Sequence, residues 1–377
     1  MKPRVLLVGR ERYRLPLDPS LRRKFDALSQ ELDVRVLASA PPGSPRGDEI
    51  FSLVRPFPVR LLDGIAFWFS LPFRVARTLR RVNPDVVIVQ GAHEAAAALA
   101  GRRLARSEAR VALDVQGDWR TATRLYGSRA RRLLSPLADR IAERAVRRVD
   151  AVRTLSEFTT GLVREIGREP NAVFHPFMDL ERFLDRPPAP LPEQPVALFI
   201  GVLELYKNID GLAAAWRLAA PRVPEATLHI VGRGSRAKLV EELLHDLPAQ
   251  TSWTSSLSTE EVSAELDRAT CLVLPSRREG LGRVVVEALC RGRPVVGAAT
   301  GGIPDLVRDG ENGLLVDPLD TRGLADALVR ILSDRPLAKR LAASARPSIE
   351  PLAATPEQYA TSVRKLVAAA ENARRPS

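Results

Sequence analysis

Two glutamates in the C-terminal half, Glu279 and Glu287, lie in a segment whose residue types suit binding of an anionic ligand. An apolar run just before them predicts a strand, and the pattern that follows predicts a helix over about 283–291. Glu279 falls in the loop between the two, where Gly280 and Gly282 let the backbone approach a ligand closely. The first N–H groups of a helix have no intrahelical partners, so this helix start is suited to a diphosphate.

Glu287 is the only charged residue in the run Val284–Cys290, which makes the predicted helix apolar nearly all round. An ionised carboxylate in such surroundings is costly unless hydrogen-bond donors satisfy its oxygens. Ribose hydroxyls would provide those donors. The alternative interpretation is a solvated glutamate on the outer face of the helix.

The motifs around these glutamates occur in a specific order. Pro-Ser precedes them, Gly-Arg-Pro-Val-Val follows at 292–296, and a glycine-rich block follows over 301–316. This order resembles the family 4 glycosyltransferases, strongly over about 196–333 and loosely before it. The resemblance implies a retaining enzyme of the GT-B architecture that moves a sugar from a UDP- or GDP-sugar to a hydroxyl, without a metal or other cofactor.

The resemblance also implies roles for individual residues. It assigns Lys207 and Glu279 as the catalytic residues. Glu279 is expected to contact hydroxyls of the donor sugar, Glu287 to hold the ribose, and Lys207 to neutralise the diphosphate. The alternative for Lys207 is a solvated loop lysine. The other donor-binding candidates near these residues are Gly201, Gly280, Leu281, Gly282 and Arg283.

The sequence departs from the family pattern at position 202. The family usually places an arginine directly after the glycine of the first C-terminal strand, as a second phosphate partner, but here Val202 follows Gly201. Two charge-assisted contacts to the diphosphate thus become one unless another arginine substitutes. The candidates for that substitution are Arg233, Arg278 and Arg283.

The N-terminal half matches the family less well. Gln116 stands where the family tends to place a histidine near the donor sugar, and a glutamine can bind a hydroxyl but cannot shuttle a proton. Asp118 and Trp119 are candidates for the ligand cleft, Trp119 as a flat platform for an acceptor ring. Their alternatives are a turn cap and a core aromatic. His93 either caps the helix that it begins or faces the cleft.

Short apolar runs alternate with amphipathic stretches twice along the chain, which predicts an α/β protein of two facing, Rossmann-like doubly wound domains with a cleft between them. Five prolines within 186–195 predict an extended linker. The expected parts are an acceptor-binding domain over 1–186, the linker over 187–195, a nucleotide-sugar domain over 196–350, and a C-terminal helix within 351–377 that packs back on the first domain.

The predicted strands are about 4–9, 33–38, 85–90, 110–115 and 150–155 in the first half, and 196–201, 226–231, 271–274, 294–297 and 313–316 in the second. The predicted helices are about 20–32, 60–82, 93–106, 128–148, 208–220, 236–246, 259–269, 283–291, 320–333 and 356–373.

The net charge of +12 is concentrated in residues 1–200, which hold 34 Lys and Arg against 23 Asp and Glu. The segment 61–73 combines apolar and aromatic residues, including Trp68 and Phe69, and four arginines follow it within 74–81. This combination indicates docking on an anionic membrane surface that carries a lipid-linked acceptor. The alternative is a helix that buries its aromatic residues in the core. Nucleic acid ranks lower as a partner, since no nucleic-acid-binding motif is found.

Other classes of protein have weaker support. Two cysteines in apolar runs and the lack of a signal peptide pattern favour a cytoplasmic protein, peripheral on the inner face of the membrane if it docks there.

Gly232-Arg233-Gly234 is half of a dinucleotide fingerprint, and no metal-ligand spacing occurs. Two alternatives to a transferase remain: a nucleotide-sugar epimerase of the same fold, and a catalytically silent homologue that binds nucleotide sugar.

Overall fold

The computed structural model describes residues 2–373 except 42, 46, 56–59 and 121–128, with no description of the side chains at 60–68, 129–134 and 351. The chain forms two compact units. The first contains Met1–Phe177 together with Ala354–Ser377, and the second contains Met178–Ala353.

The first unit is built on a parallel sheet whose strand order, within the described residues, is β3-β2-β1-β4-β5-β6-β7. Its central strands are buried apolar runs, as expected for a sheet that helices cover on both faces. The strands are β1 (Arg4–Arg12), β2 (Asp33–Ser39), β3 (Phe51–Val54), β4 (Val86–Gln90), β5 (Arg110–Val115), β6 (Ala151–Thr154) and β7 (Ala172–Val173).

Helices pack on both faces of this sheet. On one face lie α1 (Pro19–Glu31) and the last helix of the chain, α13 (Pro356–Asn372), which contact each other and share one apolar core. On the other face lie α2 (Arg60–Val82), α3 (Ala92–Ala105) and α4 (Arg129–Arg148), side by side in that order. A shorter helix, α5 (Glu157–Glu165), follows β6.

The second unit repeats this arrangement around a parallel sheet of order β10-β9-β8-β11-β12-β13. The two sheets and their covering helices confirm the predicted pair of Rossmann-like domains. The strands are β8 (Val196–Ile200), β9 (Thr227–Val231), β10 (Thr251–Thr254), β11 (Cys271–Leu274), β12 (Val295–Ala298) and β13 (Gly313–Val316). The helices are α6 (Glu181–Leu184), α7 (Ile209–Ala219), α8 (Ala237–Asp246), α9 (Thr259–Arg268), α10 (Arg283–Cys290), α11 (Thr321–Ser333) and α12 (Arg335–Ile349).

Strand order brings together loops that are distant in sequence. β8 lies at the centre of the second sheet and pairs with β9 on one side and with β11 on the other. All three strands are parallel, so the loops that follow them meet at one edge of the sheet. These loops carry Lys207, Arg233 and Glu279, respectively.

The proline-rich segment 187–195 differs from the prediction, because it belongs to the second unit and is not a free linker. Prolines supply no N–H donors, so the carbonyls of such a segment need donors from elsewhere. The fully buried Arg291 bonds the carbonyl oxygens of Arg186 at 3.0 Å and Pro187 at 3.2 Å, and the buried Arg293 bonds that of Ala189. These contacts hold the segment along the second unit, and the units divide after Phe177.

Candidate functional site

Lys207 and Glu279 form an ion pair at the carboxyl edge of the second sheet. A single turn of 3₁₀ helix, Leu205–Lys207, brings the lysine back toward the sheet, and Asn208 ends this turn in the left-handed conformation with a φ of 58°. Lys207 is only 9% exposed, so it is not a solvated loop lysine. The structure thus places the two predicted catalytic residues in direct contact, with their charges paired.

The loop that carries Glu279 is held by the loop after β12. The N–H of Gly302 donates to the carbonyl oxygen of Glu279 at 3.1 Å. Gly301 has a φ of +61°, and a Cβ added to it would lie 1.9 Å from that same oxygen. Only glycine permits this approach, so the glycine pair fixes the position of the Glu279 backbone.

Helix α10 begins directly after this loop. Gly282, with a φ of 88°, is the N-cap residue, and no side chain among the described residues caps the helix. Leu281 is buried at 6% exposure and anchors the loop in the core, whereas the side chain of Arg283 is exposed. The helix start therefore presents backbone N–H groups and a positive partial charge at the same edge as Lys207.

Glu287 lies one turn into α10 and is 8% exposed, which rules out a solvated glutamate on the outer face. Its Oε1 accepts a hydrogen bond from Nε of Arg283 at 2.7 Å. Burial raises the pKa of Glu287 above the ordinary value for a glutamate, and the Arg283 guanidinium opposes that shift. Sequence analysis missed this partner, although the spacing of four residues on a helix could have revealed it.

The remaining donor-site candidates lie around the same edge. Gly201 directly follows β8, and its N–H donates to the carbonyl oxygen of Val231 at 3.0 Å. Val202 follows it with 45% of its surface exposed, beside Arg233 on the neighbouring loop. Arg278 is exposed and directly precedes Glu279. The structure brings all of these residues to the loops after β8, β9 and β11.

The first-unit candidates are more scattered. Trp119 is 7% exposed and packs in the core of that unit, so it is not an exposed platform for a sugar ring. Asp118 accepts hydrogen bonds from the backbone N and from Nε of Arg120, both at 3.0 Å, which is a turn contact. His93 lies in the first turn of α3, and burial lowers its pKa.

Gln116 is exposed, and its Nε2 donates to Oδ2 of Asp114 at 3.2 Å. Asp114 in turn pairs with Arg153 on the next strand at 2.7 Å, and both residues are buried. Sequence analysis missed this ion pair, because a charged residue inside each of two adjacent apolar strands gives no signal until the strands are paired. It links the predicted cleft residue Gln116 to the interior of the sheet.

No helix in the described part of the chain is both long and apolar enough to cross a membrane. In the same residues, no group of three or more His, Cys, Asp or Glu side chains is arranged to hold a metal ion.

Two family models match consecutive parts of the chain. The model described as "Glycosyl transferase 4-like domain" matches residues 20–176, and "Glycosyl transferases group 1" matches residues 181–347. The chain belongs to the family 4 glycosyltransferases. Lys207, Glu279 and Glu287 all lie within the part that the second model matches.

Curated relatives of this family member include a sulfoquinovosyl transferase of Arabidopsis thaliana, 32% identical, and the D-inositol 3-phosphate glycosyltransferase of a Nocardioides strain, 36% identical. The alignments cover 42% and 46% of this chain and 31% and 43% of those relatives, respectively. The alpha-D-kanosaminyltransferase of Streptomyces kanamyceticus is 27% identical over 57% of this chain and 60% of its own length. The matches thus span less than two thirds of each relative.

Two solved structures resemble this chain over nearly its whole length. A sucrose-phosphate synthase from Thermosynechococcus elongatus superposes with a TM-score of 0.78 at 20% identity and covers 97% of this chain and 100% of its own. The Anabaena protein HepE in complex with UDP gives a TM-score of 0.69 at 16% identity, with 96% and 99% covered. At these identities the likeness establishes the fold, in agreement with the predicted GT-B architecture.

Proposed function

We propose that the protein transfers a glycosyl group from a UDP- or GDP-sugar to an acceptor hydroxyl, with retention of anomeric configuration. The observation that carries this proposal is the convergence of Lys207, Glu279 and the start of α10 at one edge of the second sheet. Family membership supports it, as do the related structures of HepE, which was solved with UDP and with UDP-glucose bound.

The chemistry that this edge can perform is electrostatic. As the glycosidic bond breaks, negative charge grows on the leaving diphosphate. Lys207 supplies a cation, and the N–H groups at the start of α10 supply donors that are already oriented. Groups preorganised around a developing charge lower the barrier because they need no reorganisation during the reaction. No side chain is assigned as a nucleophile, and no metal ion is required by this scheme.

The two glutamates bind different parts of the donor. Glu287, buried in α10, accepts hydrogen bonds from the ribose hydroxyls through the oxygen that Arg283 does not hold. Glu279 binds hydroxyls of the transferred sugar. Because Glu279 is paired with Lys207 in the structure, the donor inserts into this ion pair, with diphosphate on the lysine and sugar hydroxyls on the glutamate.

The acceptor, a saccharide, a lipid-linked molecule or a small molecule, is assigned to the first unit. Gln116, Asp118 and His93 are its candidate contacts. Trp119 is not, because its side chain is buried in the core. Trp68, which was predicted together with Phe69 to contact a membrane, has a side chain that lies outside the described residues.

We further propose that the first unit docks on an anionic membrane. On α2, Phe69 is 77% exposed and Phe73 is 67% exposed, so these aromatic side chains do not fill the core. On α4, two apolar side chains with the same four-residue spacing, Leu137 and Ile141, are 57% and 48% exposed. The exposed arginines that follow on these two helices are Arg74, Arg77, Arg80, Arg81, Arg140, Arg144, Arg147 and Arg148. Apolar side chains beside cations suit the headgroup region of an anionic bilayer.

Co-sedimentation with vesicles tests this docking. Binding to vesicles of anionic lipid should fall as salt rises, and it should fall when Phe69 and Phe73 are both replaced by alanine. Leu319→Ala is the matched control, because Leu319 is 79% exposed on the second unit. Equal recovery in the supernatant with anionic and neutral vesicles at low salt would contradict the proposal and favour an acceptor in solution.

An activity assay tests the transfer. The protein is incubated with UDP- and GDP-sugars, with and without lipid and saccharide acceptor fractions, and released nucleoside diphosphate is measured. Release that requires an acceptor, and a product whose anomeric proton signal matches that of the donor, would support retaining transfer. Change of the donor sugar without an acceptor would identify an epimerase instead. Donor binding without turnover across all fractions would identify a silent homologue.

A further inference from the structure

Two of the cations that were predicted for the donor diphosphate are already neutralised within the second unit. Lys207 is paired with Glu279, and Arg283 is bonded to Glu287 at 2.7 Å. Arg277, on the same loop as Glu279, is paired with Asp210. A diphosphate brings at least two negative charges. This edge therefore needs a further cation that is not already paired with a carboxylate.

Position 202 does not supply that cation. Val202 has an apolar side chain and is 45% exposed, although it lies on the loop that leads from β8 to Lys207. The neighbouring loop, after β9, lies alongside it. The N–H of Leu203 donates to the carbonyl oxygen of Arg233 at 3.0 Å, and the N–H of Arg236 donates to that of Leu203 at 2.8 Å.

The two loops are in backbone contact, and glycines make this possible. A Cβ added to Gly232 would lie 1.8 Å from the carbonyl oxygen of Gly201, and one added to Gly234 would lie 2.4 Å from that of Leu203. On the other side, Cε of Lys207 lies 3.6 Å from the position that a Cβ of Gly201 would occupy. Lys207, Gly201, Gly232 and Arg233 therefore form one continuous strip along the sheet edge.

Arg233 differs from Arg277 and Arg283, which are paired with carboxylates. It is exposed, and its guanidinium makes no hydrogen bond or ion pair with any residue that the structure describes. Glu204, an acidic residue of the adjoining loop, is itself occupied, because its carboxylate accepts from the N–H of Ser235 at 3.1 Å and from the hydroxyl of Ser235 at 2.6 Å. Among the described residues, the guanidinium of Arg233 is therefore not paired with a carboxylate.

We infer that Arg233 is the second cation for the donor diphosphate and takes the place left open by Val202. This inference rests on the proposed function. A guanidinium offers two parallel N–H donors that match the oxygens of a phosphate group. Lys207 then provides the buried charge and Arg233 the exposed one, on adjacent loops of the same sheet edge.

Titration calorimetry with UDP and with GDP tests the inference on the full chain. Arg233→Ala should weaken binding of the preferred nucleotide by about 10- to 100-fold, the usual loss for a hydrogen-bonded charge. Arg233→Glu should weaken it further. Arg236→Ala, three residues along the same loop, is the matched control and should stay within about twofold of wild type. Adding Val202→Arg to Arg233→Ala should restore binding, since the two side chains extend from adjoining loops.

The outcomes separate the inference from the proposed function. Wild type that binds neither nucleotide overturns both. Wild-type binding that Arg233→Ala and Arg233→Glu leave unchanged overturns the role of Arg233 alone. Because Arg233 is exposed, both variants should keep the melting temperature of wild type, which excludes unfolding as the cause of a loss.

Discussion

Lys207 and Glu279 are 72 positions apart in the chain and form an ion pair, with their side chains only 11% and 16% exposed. The pair exists because β8 and β11 are neighbours in the second sheet, so the loops after them adjoin. An ion pair between residues assigned to two different parts of the donor has a consequence for binding. Under the proposed function, Lys207 exchanges its carboxylate partner for a phosphate when the donor binds.

Glu279→Gln removes the charge that competes for Lys207 and retains the shape of the side chain. We expect this variant to bind free nucleoside diphosphate at least as tightly as wild type, but to transfer sugar at least tenfold more slowly. Calorimetry with the nucleotide and an assay of transfer measure the two effects separately. Weaker nucleotide binding together with normal transfer would contradict the assignment of Glu279 to the sugar.

Glu287→Ala should weaken binding of nucleoside diphosphate by about 1.5–3 kcal/mol, because hydrogen bonds from ribose to a charged group are lost. Glu242→Ala is a suitable control, since Glu242 is paired four residues from a lysine on an exposed helix face. Calorimetry at one pH and salt concentration compares the variants. If Glu287→Ala binds the nucleotide like wild type, the ribose assignment is wrong.

Gly301→Ala should displace the loop that carries Glu279, because the added Cβ would meet the Glu279 carbonyl oxygen at 1.9 Å. Gly310→Ala is the matched control. Gly310 has a φ of +75°, near the +61° of Gly301, but a Cβ there would have no atom within 4 Å. Both variants should lose about 1–2 kcal/mol of stability from backbone strain. Gly301→Ala should lose more because of this clash, and only this variant should also lose sugar transfer. Similar activity in both variants would contradict the role of this glycine.

The central strands could be predicted from the sequence because strands covered on both faces are apolar throughout, as in β4 and β11. The edge strands β3 and β10 escape prediction, since each is four residues long and partly exposed. Helix α12 also escapes it, because prolines lie near both of its ends and charged residues interrupt it. Its buried Leu337 and Leu341 do follow a four-residue spacing that a closer reading of the sequence would find.

The residue types of the candidate site could be predicted from the motifs, whereas their pairing could not. Contact between Lys207 and Glu279 depends on strand order, which no local pattern encodes. The burial of Trp119 depends on an apolar core whose other members come from distant parts of the chain. The position of Arg233 beside Lys207 likewise depends on the backbone bonds between the loops after β8 and β9, which join residues about 30 positions apart.

The buried carboxyl of Glu94 should make the free energy of unfolding depend on pH. It is 8% exposed at the start of α3, and burial raises its pKa from 4.5 to about 7, an effect that the backbone and Arg10 partly oppose. The unfolded chain therefore releases this proton at lower pH than the native chain does. Ionisation of Glu94 should thus lower the free energy of unfolding as pH rises from about 4.5 to 7, by at most about 3 kcal/mol.

Glu94→Gln should accordingly unfold at a higher denaturant concentration than wild type at pH 8 and at nearly the same concentration at pH 5. Glu31→Gln, at an exposed position, should show no such difference. Denaturant unfolding of each variant and of wild type at the two pH values measures this difference in stability. A stabilisation that is equal at both pH values would contradict the buried carboxyl as its source.

Lys207→Ala tests most directly whether the second unit holds a nucleoside diphosphate at the edge formed by the loops after β8 and β11. The measurement is calorimetric titration of UDP and GDP into wild type and into this variant, at the same pH and salt concentration. We predict that wild type binds one of the two nucleotides and that Lys207→Ala loses at least tenfold in affinity, about 1.4 kcal/mol or more. Equal affinity in the two proteins, or no binding of either nucleotide to wild type, would contradict the account.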